Sequence, residues 1–401
     1  MISVTQALNI LSEHAIAPKT ETIRLAQALG RVAAEPVHAS VTLPPRDASA
    51  MDGYAVTIND AQKSGATLKV IAEVPAGHNF DSQIKSGETV PIFTGSPIPS
   101  AAETVIMQEN VERSDDMIRI THSQNVVKHI RRAGIDFQKG DLIIPAGKRI
   151  GPEDISIAAA ANHSTLNVWQ RVKVACLAAG DELIKPGDSY SNGKIVNSNT
   201  SALSALITQW GGEAMNIGLA KDDPDAIAAL YKAAQEADII VPIGGASVGD
   251  YDYMRRVFTD LGGEMSFEKI AVKPGKPTWF GQLGTTPVLG LPGNPASALV
   301  CAHLFLSVLM GRPVKPMAKA KLTEPMRENG PREHYLRARG WIEKGQFYVR
   351  PFPRQDSSLL TPFLEANLLI KRAPLADPLD AGELIEVVEL GTGPSVFATI
   401  N

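Results

Sequence analysis

Cysteine is nearly missing from this sequence. Only Cys176 and Cys301 occur, far apart and each inside an apolar segment, so no disulfide framework or cysteine-rich metal site can organise the fold. Both read as small buried hydrophobes. An excess of charge is lacking too. The 39 basic and 43 acidic side chains leave a net charge of −4, which gives no general attraction to nucleic acid or to an anionic membrane, so any basic site must be local. No apolar run approaches the length of a bilayer span. The start, Met1-Ile2-Ser3-Val4-Thr5-Gln6, has neither the basic region nor the apolar core of a signal peptide. These absences point to a cytoplasmic protein with no membrane or nucleic-acid partner. Also missing are Gly-x-x-x-x-Gly-Lys-Ser/Thr, Gly-x-Gly-x-x-Gly after a strand, and any His/Cys set with zinc spacing, which removes the fingerprints of P-loop, dinucleotide and zinc sites.

What is there is an ordinary balance, 44% hydrophobic and 20% charged over 401 residues, enough for two to four domains. Val4, Leu8, Leu11 and Ala15 recur at helical spacing behind the cap Ser3, and predict a short amphipathic helix. From about residue 44 to 147 the texture is Pro, Gly and short β-rich runs, which predicts a small β domain. Helical character returns at Pro152, placed as a first-turn proline. The β segment therefore reads as an insert, 44–147, in a helical domain made from 1–43 and 148–171. From 172 to 313 strands and helices alternate. The strand 172–177 precedes a helix at 199–210 stopped by Gly211, and Asp223-Pro224-Asp225 caps the next helix. This alternation predicts a three-layer α/β domain with a mostly parallel sheet. Residues 314–401 turn β-rich again, with a hairpin about Glu343-Lys344-Gly345, and predict a C-terminal β-barrel-like domain. The fold class expected is thus multidomain α/β.

The most informative stretch runs from Ile239 to Tyr253. A buried apolar strand breaks into Gly244-Gly245-Ala246-Ser247-Val248-Gly249 and then Asp250 and Asp252, as expected of a strand end whose loop amides face a ligand. Two loops of similar kind follow. In Lys273-Pro274-Gly275-Lys276-Pro277 two ammonium groups sit on a proline-stiffened turn, a plausible oxyanion pocket. Leu291-Pro292-Gly293-Asn294-Pro295 ends on a helix N-terminus, where free amides and the helix dipole favour an anion. Asp181, Glu182, Asp222, Asp250 and Asp252 recur at strand carboxyl ends of the same unit, where ligands bind in such sheets. A divalent cation between acids and phosphate would account for acids beside an anion. Each acid alone is as well explained as a solvated loop or cap, and Asp223 as a cap.

Together with Ser49-Ala50-Met51-Asp52-Gly53-Tyr54-Ala55, Phe93-Thr94-Gly95 and Arg131-Arg132-Ala133-Gly134, these stretches stand in an order that resembles the molybdopterin molybdenumtransferase family, related to the E domain of gephyrin. The resemblance covers nearly the whole chain. It implies insertion of molybdate into adenylylated molybdopterin with a divalent cation such as Mg²⁺, giving the molybdenum cofactor and AMP. By the same resemblance Lys273, Lys276, Pro292 and Pro295 lie near molybdate, with Gly244, Gly245, Ser247, Gly249, Gly293 and Asn294 lining the substrate site. Asp181, Glu182, Asp250 and Asp252 fall to the cation, and Glu182, Asp222 and Asp252 to the chemistry. Asp52, Thr94 and Asp136 match functional positions that an elongated homodimer presents across its subunit boundary. Transient contact with other cofactor-synthesis proteins is implied as well.

The chain departs from the family pattern in places. Asn197 stands where Asp is usual and Ile135 where Glu is common. The stretches Arg354-Gln355-Asp356-Ser357-Ser358-Leu359 and Ala366-Asn367-Leu368-Leu369 lack usual glycines, and Asp356 puts an acid where an anionic substrate is expected. Two other activities stay open on sequence, adenylylation of molybdopterin and a catalytically weak, gephyrin-like scaffold.

Overall fold

The computed structural model describes residues 1–73, 80, 82–244 and 253–397. The chain forms two compact units, one made of Met1–Lys19 with Gln170–Asn401 and the other of Thr20–Trp169.

The first unit contains the α/β domain. Its sheet runs in the order Glu213–Ala220, Lys173–Ala179, Ile239–Ile243, Thr286–Gly290, Trp279–Leu283, Glu264–Phe267. The first three pairings are parallel and the last two antiparallel. The expected parallel sheet therefore holds where helices connect the strands. It reverses at the edge because only Gly284 and Thr285 separate Trp279–Leu283 from Thr286–Gly290, far too short for a crossover. Alternate residues of Lys173–Ala179 serve two cores. Val174 and Cys176 pack in a cluster with Leu203, Ile207 and Phe305, while Ala175 and Leu177 pack with Ile227, Tyr231 and Phe258, as the two-residue side-chain period of a strand requires.

Local signals set the helix ends. Ser3 caps Val4–Glu13 in a reciprocal bond with Gln6, and the Asp223 side chain accepts from the Ala226 N–H at 2.8 Å to start Pro224–Ala233. The helix Val4–Glu13 buries Val4, Ala7 and Leu11 against the same cluster as Leu304, Leu306 and Leu309. Pro295–Cys301 runs on through a π-helical segment, Ala302–Leu306, into Ser307–Leu309. Both cysteines are free and buried.

The C-terminal β domain closes on itself. Glu333–Glu343 pairs with Gln346–Pro351, then come Met317–Leu322, Leu384–Glu389 and Leu368–Arg372, and the last pairs back onto Glu333–Glu343. The predicted hairpin is present, turned by Lys344 and Gly345 at φ of 48° and 78°. A two-residue strand, Val272–Lys273, pairs in parallel with Glu333 and His334 and so ties the lysine loop of the α/β domain to the barrel.

In the second unit Thr20–Arg24 pairs antiparallel with Thr165–Trp169. Pro152–Ala160 is helical. A six-stranded sheet between these segments, in the order Thr104–Met107, Gly53–Val56, Glu88–Ile92, Thr67–Val70, Met117–Ile120, Val111–Ser114, packs around Leu68, Ile106 and Ile118.

Candidate active site

Parallel register carries the predicted residues of the α/β domain to one sheet edge. Ala179 is opposite Ala220, so the loops after these strands leave side by side. Gly180 N–H donates to the Ala220 carbonyl at 3.2 Å. Beyond it, Asp181 N–H donates to Asp222 Oδ2 and Asp222 N–H to Asp181 Oδ1, both at 3.4 Å. The Asp222 carboxyl is held above its ordinary range, first by lost solvation and next by the charges of Glu182 and Asp181, against a lowering bond from the Asp181 N–H. Lys194 Nζ donates to the Asp181 carbonyl at 2.7 Å. The neighbouring strand ends at Ile243, and the next residue, Gly244, has a φ of 93° and donates its N–H to the Leu291 carbonyl at 3.2 Å.

These ends frame a cleft of about 680 Å³. Glu182, Asp222, Gly244, Pro292, Gly293, Asn294 and Pro295, all expected from sequence, line it. Asn197, Ser198, Asn199 and Ser358 line it too. Asn199 closes the floor by donating its side-chain amide to the Gly293 carbonyl at 2.7 Å. Gly245, Ser247, Gly249, Asp250 and Asp252 lie outside the described residues.

A second cleft, of about 550 Å³, adjoins the first at Pro277, Pro292 and Asn294. Lys273, Lys276, Arg332 and Asp356 bring charge to it. The lysine loop is fixed from within. Lys276 offers its carbonyl to Ile270 N–H at 3.1 Å, and Thr278 donates its N–H at 3.0 Å and its hydroxyl at 2.8 Å to the Gly275 carbonyl. Gly275 has a φ of 111°, and a Cβ there would fall 2.1 Å from Cys301 Sγ, so the buried thiol fills the space that glycine leaves. Arg332 Nη1 donates to the Val272 carbonyl at 3.3 Å.

The other wall, 354–359, is held by Arg337. That guanidinium, 1% exposed, donates to the carbonyls of Leu359 at 2.6 Å and Asp356 at 2.9 Å. Ser357 joins the wall to the α/β domain, accepting from the Asn294 amide at 3.1 Å through its hydroxyl and from the Ala296 N–H at 3.0 Å through its carbonyl. Asp356 Oδ1 accepts from the Ser358 hydroxyl at 2.6 Å and N–H at 2.8 Å, bonds that hold its carboxyl below the ordinary range. The field is positive nearby. Burial, then Lys273, Arg332, Arg372 and Arg337, push His334 down to about 4.

Arg332 and Ser357 went unremarked in sequence as lining groups. An arginine after Gly330-Pro331 looks like any surface turn. Among the described residues no group of three or more His, Cys, Asp and Glu is arranged to hold a metal ion. In the second unit Asp52 and Thr94 are brought together. Asp52 Oδ1 accepts from the Thr94 N–H at 2.7 Å and hydroxyl at 2.8 Å, which lowers its carboxyl below the ordinary range. Asp136 sits on the turn that pairs with Leu43, its N–H donated to the Leu43 carbonyl at 3.2 Å.

Three family models match the chain in succession, described as MoeA N-terminal region (domain I and II) over residues 2–162, probable molybdopterin binding domain over 175–312, and MoeA C-terminal region (domain IV) over 319–390. A protein of Nostoc sp. named molybdopterin molybdenumtransferase is 34% identical over 84% of this chain and 81% of its own length. The chain belongs to the MoeA family. A Haemophilus influenzae protein of the same name is 32% identical over 96% of this chain and 98% of its own. The crystal structure of a molybdopterin biosynthesis MoeA protein from Pyrococcus horikosii superposes with a TM-score of 0.83 at 31% identity, covering 97% of this chain and 99% of that one. On this MoeA chain the middle model spans the sheet and the loops at 180, 244, 275 and 293, and the C-terminal model spans the barrel with Arg332 and Asp356. The second cleft is thus built by both. No helix among the described residues is long and apolar enough to cross a membrane.

Proposed function

We propose that this chain inserts molybdate into adenylylated molybdopterin, with release of AMP. The observation that carries the proposal is the adjacency of two unlike clefts. One is large and edged by acids and Gly-rich strand ends, and the other is smaller and lined by Lys273, Lys276 and Arg332; they meet at Pro277, Pro292 and Asn294. The larger suits an organic substrate with phosphates laid on backbone amides. The smaller suits a tetrahedral oxyanion, held by charge-assisted bonds. With molybdate in the smaller cleft and the substrate in the larger, the reacting groups would be neighbours, and a two-molecule encounter would become a local step.

The acids fit Mg²⁺ by the chemistry of their donors. Asp181, Glu182 and Asp222 offer hard oxygens, and Asp222 is pushed up first by lost solvation and then by the charges of Glu182 and Asp181, a repulsion that a divalent cation would offset. Mg²⁺, when bound, would neutralise phosphate oxygens. Asp250 and Asp252 belong to the same proposed set. Glu182 and Asp222, on the cleft wall, are the groups assigned to orient a water at the phosphate. The homodimer, with the parts given to Asp52, Thr94 and Asp136, belongs to the proposal too. Mixed dimers of Asp52→Ala and Lys276→Ala subunits should be more active at limiting molybdate than either variant alone.

The direct test incubates the purified protein with adenylylated molybdopterin, molybdate and Mg²⁺ and follows AMP and cofactor. Formation of both, with Lys273→Ala and Lys276→Ala each raising the molybdate requirement, is expected. Absence of AMP, or ATP consumption with molybdopterin instead, would overturn the assignment.

A further inference from the structure

The smaller cleft contains a charge that works against its proposed occupant. Lys273, Lys276 and Arg332 face it together with one carboxylate, Asp356. The nearby Arg337 is committed to the carbonyls of Leu359 and Asp356 behind the same loop. Asp356 is not loosely placed. Its Oδ1 takes two bonds from Ser358, and its own backbone carbonyl is fixed by Arg337. Its neighbours Gln355 and Ser357 are tied in turn to Arg337 N–H and to the Asn294 amide.

We propose that Asp356 is a specificity-determining residue that lowers the affinity of the cleft for fully ionised oxyanions and favours those bearing a hydroxyl. The inference rests on the oxyanion reading of the cleft given above. A carboxylate is acceptor-only. It repels a dianion that has no proton to offer, such as molybdate or sulfate at neutral pH. It tolerates hydrogen phosphate, whose P–OH has a hydrogen to donate. Three cations against one carboxylate leave two net positive charges, so the cleft still attracts an oxyanion, less strongly than it would without Asp356. Without Asp356 the cleft would bind its oxyanion more tightly, and the gain would oppose transfer as much as it helped capture, since binding that is equal in ground and transition states does not speed the chemical step.

Asp356→Asn separates charge from structure, because the amide oxygen can still accept both Ser358 bonds. Calorimetric titration of the full-length protein with molybdate, sulfate and phosphate should show molybdate and sulfate bound about five- to tenfold more tightly by the variant, the scale of removing one charge some 6–8 Å from a dianion in a solvated cleft. Phosphate should gain less than either. Asp356→Glu should match the wild type, which guards against a folding artefact in the Asn variant. In the cofactor assay the KM for molybdate should fall in Asp356→Asn without a matching rise in kcat. Molybdate affinity equal to or weaker than wild type in Asp356→Asn would overturn the inference while leaving the cleft assignment standing, provided Lys276→Ala weakens binding. Unchanged molybdate binding in Lys276→Ala would bring down the cleft assignment and this inference together.

Discussion

Gly275→Ala tests whether the lysine loop is shaped by the buried thiol beneath it. The φ of 111° places Gly275 where side chains are strained, and the added Cβ would stand 2.1 Å from Cys301 Sγ and 3.5 Å from Val272 Cγ1. Two costs add. Holding a non-glycine residue in that conformation costs about 1–3 kcal/mol. Cys301 is 0% exposed, so the thiol has no solvent-facing position to swing to, and forcing the packing apart costs about 1–3 kcal/mol more. The single variant should therefore lose roughly 2–6 kcal/mol. Cys301→Ala alone gives up the burial of one sulfur and its 3.2 Å bond with the Thr278 hydroxyl, about 1–2 kcal/mol together, and deletes the atom that the new methyl would strike. The double variant should then be less destabilised than the sum of the two singles by about 1–3 kcal/mol, with only the backbone cost left. Urea unfolding followed by tryptophan fluorescence gives all four corners of this cycle, and a molybdate titration of each variant reports whether the loop keeps its shape. Additivity to within about 0.5 kcal/mol would refute the steric account, and a Gly275→Ala protein as stable as wild type would refute both parts.

Three further outcomes are expected. Asp222 has its pKa raised above 3.8 in the folded protein, so its contribution to stability is full below that value and is lost as pH rises through the raised pKa. Thermal unfolding of Asp222→Asn should match wild type at acid pH and exceed it at neutral pH, with added Mg²⁺ narrowing the gap; a variant less stable at neutral pH would contradict this. Asp223→Ala should cost about 1 kcal/mol in a denaturant melt through loss of the helix cap, with cofactor synthesis retained. Lys344→Asn should stabilise by roughly 0.5–1 kcal/mol, because asparagine tolerates the left-handed turn conformation that lysine adopts there at a cost, and no rise in the urea midpoint would count against that account.

Much of the α/β domain could be read from local chemistry. Ser3, Asp223-Pro224 and Asn294-Pro295 start their helices where expected, because caps and prolines act within a few residues. The Lys344-Gly345 hairpin was visible for the same reason. Long-range pairing was not. Barrel closure needs Lys321 and Leu322 beside Tyr348 and Val349 in parallel, and Leu368–Arg372 beside Glu333–Glu343, contacts that leave no trace in periodicity. The sheet's antiparallel edge depended on a two-residue link whose flanking strands looked like others of the α/β pattern. At the site, Gly180, Gly244 and Gly293 were conspicuous in sequence and line the larger cleft. Arg332 did not, since its place at the cleft comes from Glu333 and His334 lying beside Val272 and Lys273. Asp356 was conspicuous as an acid, but its bonds to Ser358 and its place on the cleft wall are properties of the folded loop.

The division of the first unit into Met1–Lys19 and Gln170–Asn401 has a consequence in time as well as in space. The helix Val4–Glu13 is made well before its partners, for its apolar face belongs against Leu304, Leu306 and Leu309, and the Ile16 N–H waits for the Leu309 carbonyl. At ordinary elongation rates that partner leaves the ribosome roughly 15–60 s later. Thr20–Trp169 meanwhile has every residue of its own cores and can close at once. This helix is therefore buried long after it is translated, and a nascent chain carries its bare amphipathic face until the segment up to Leu309 has been made.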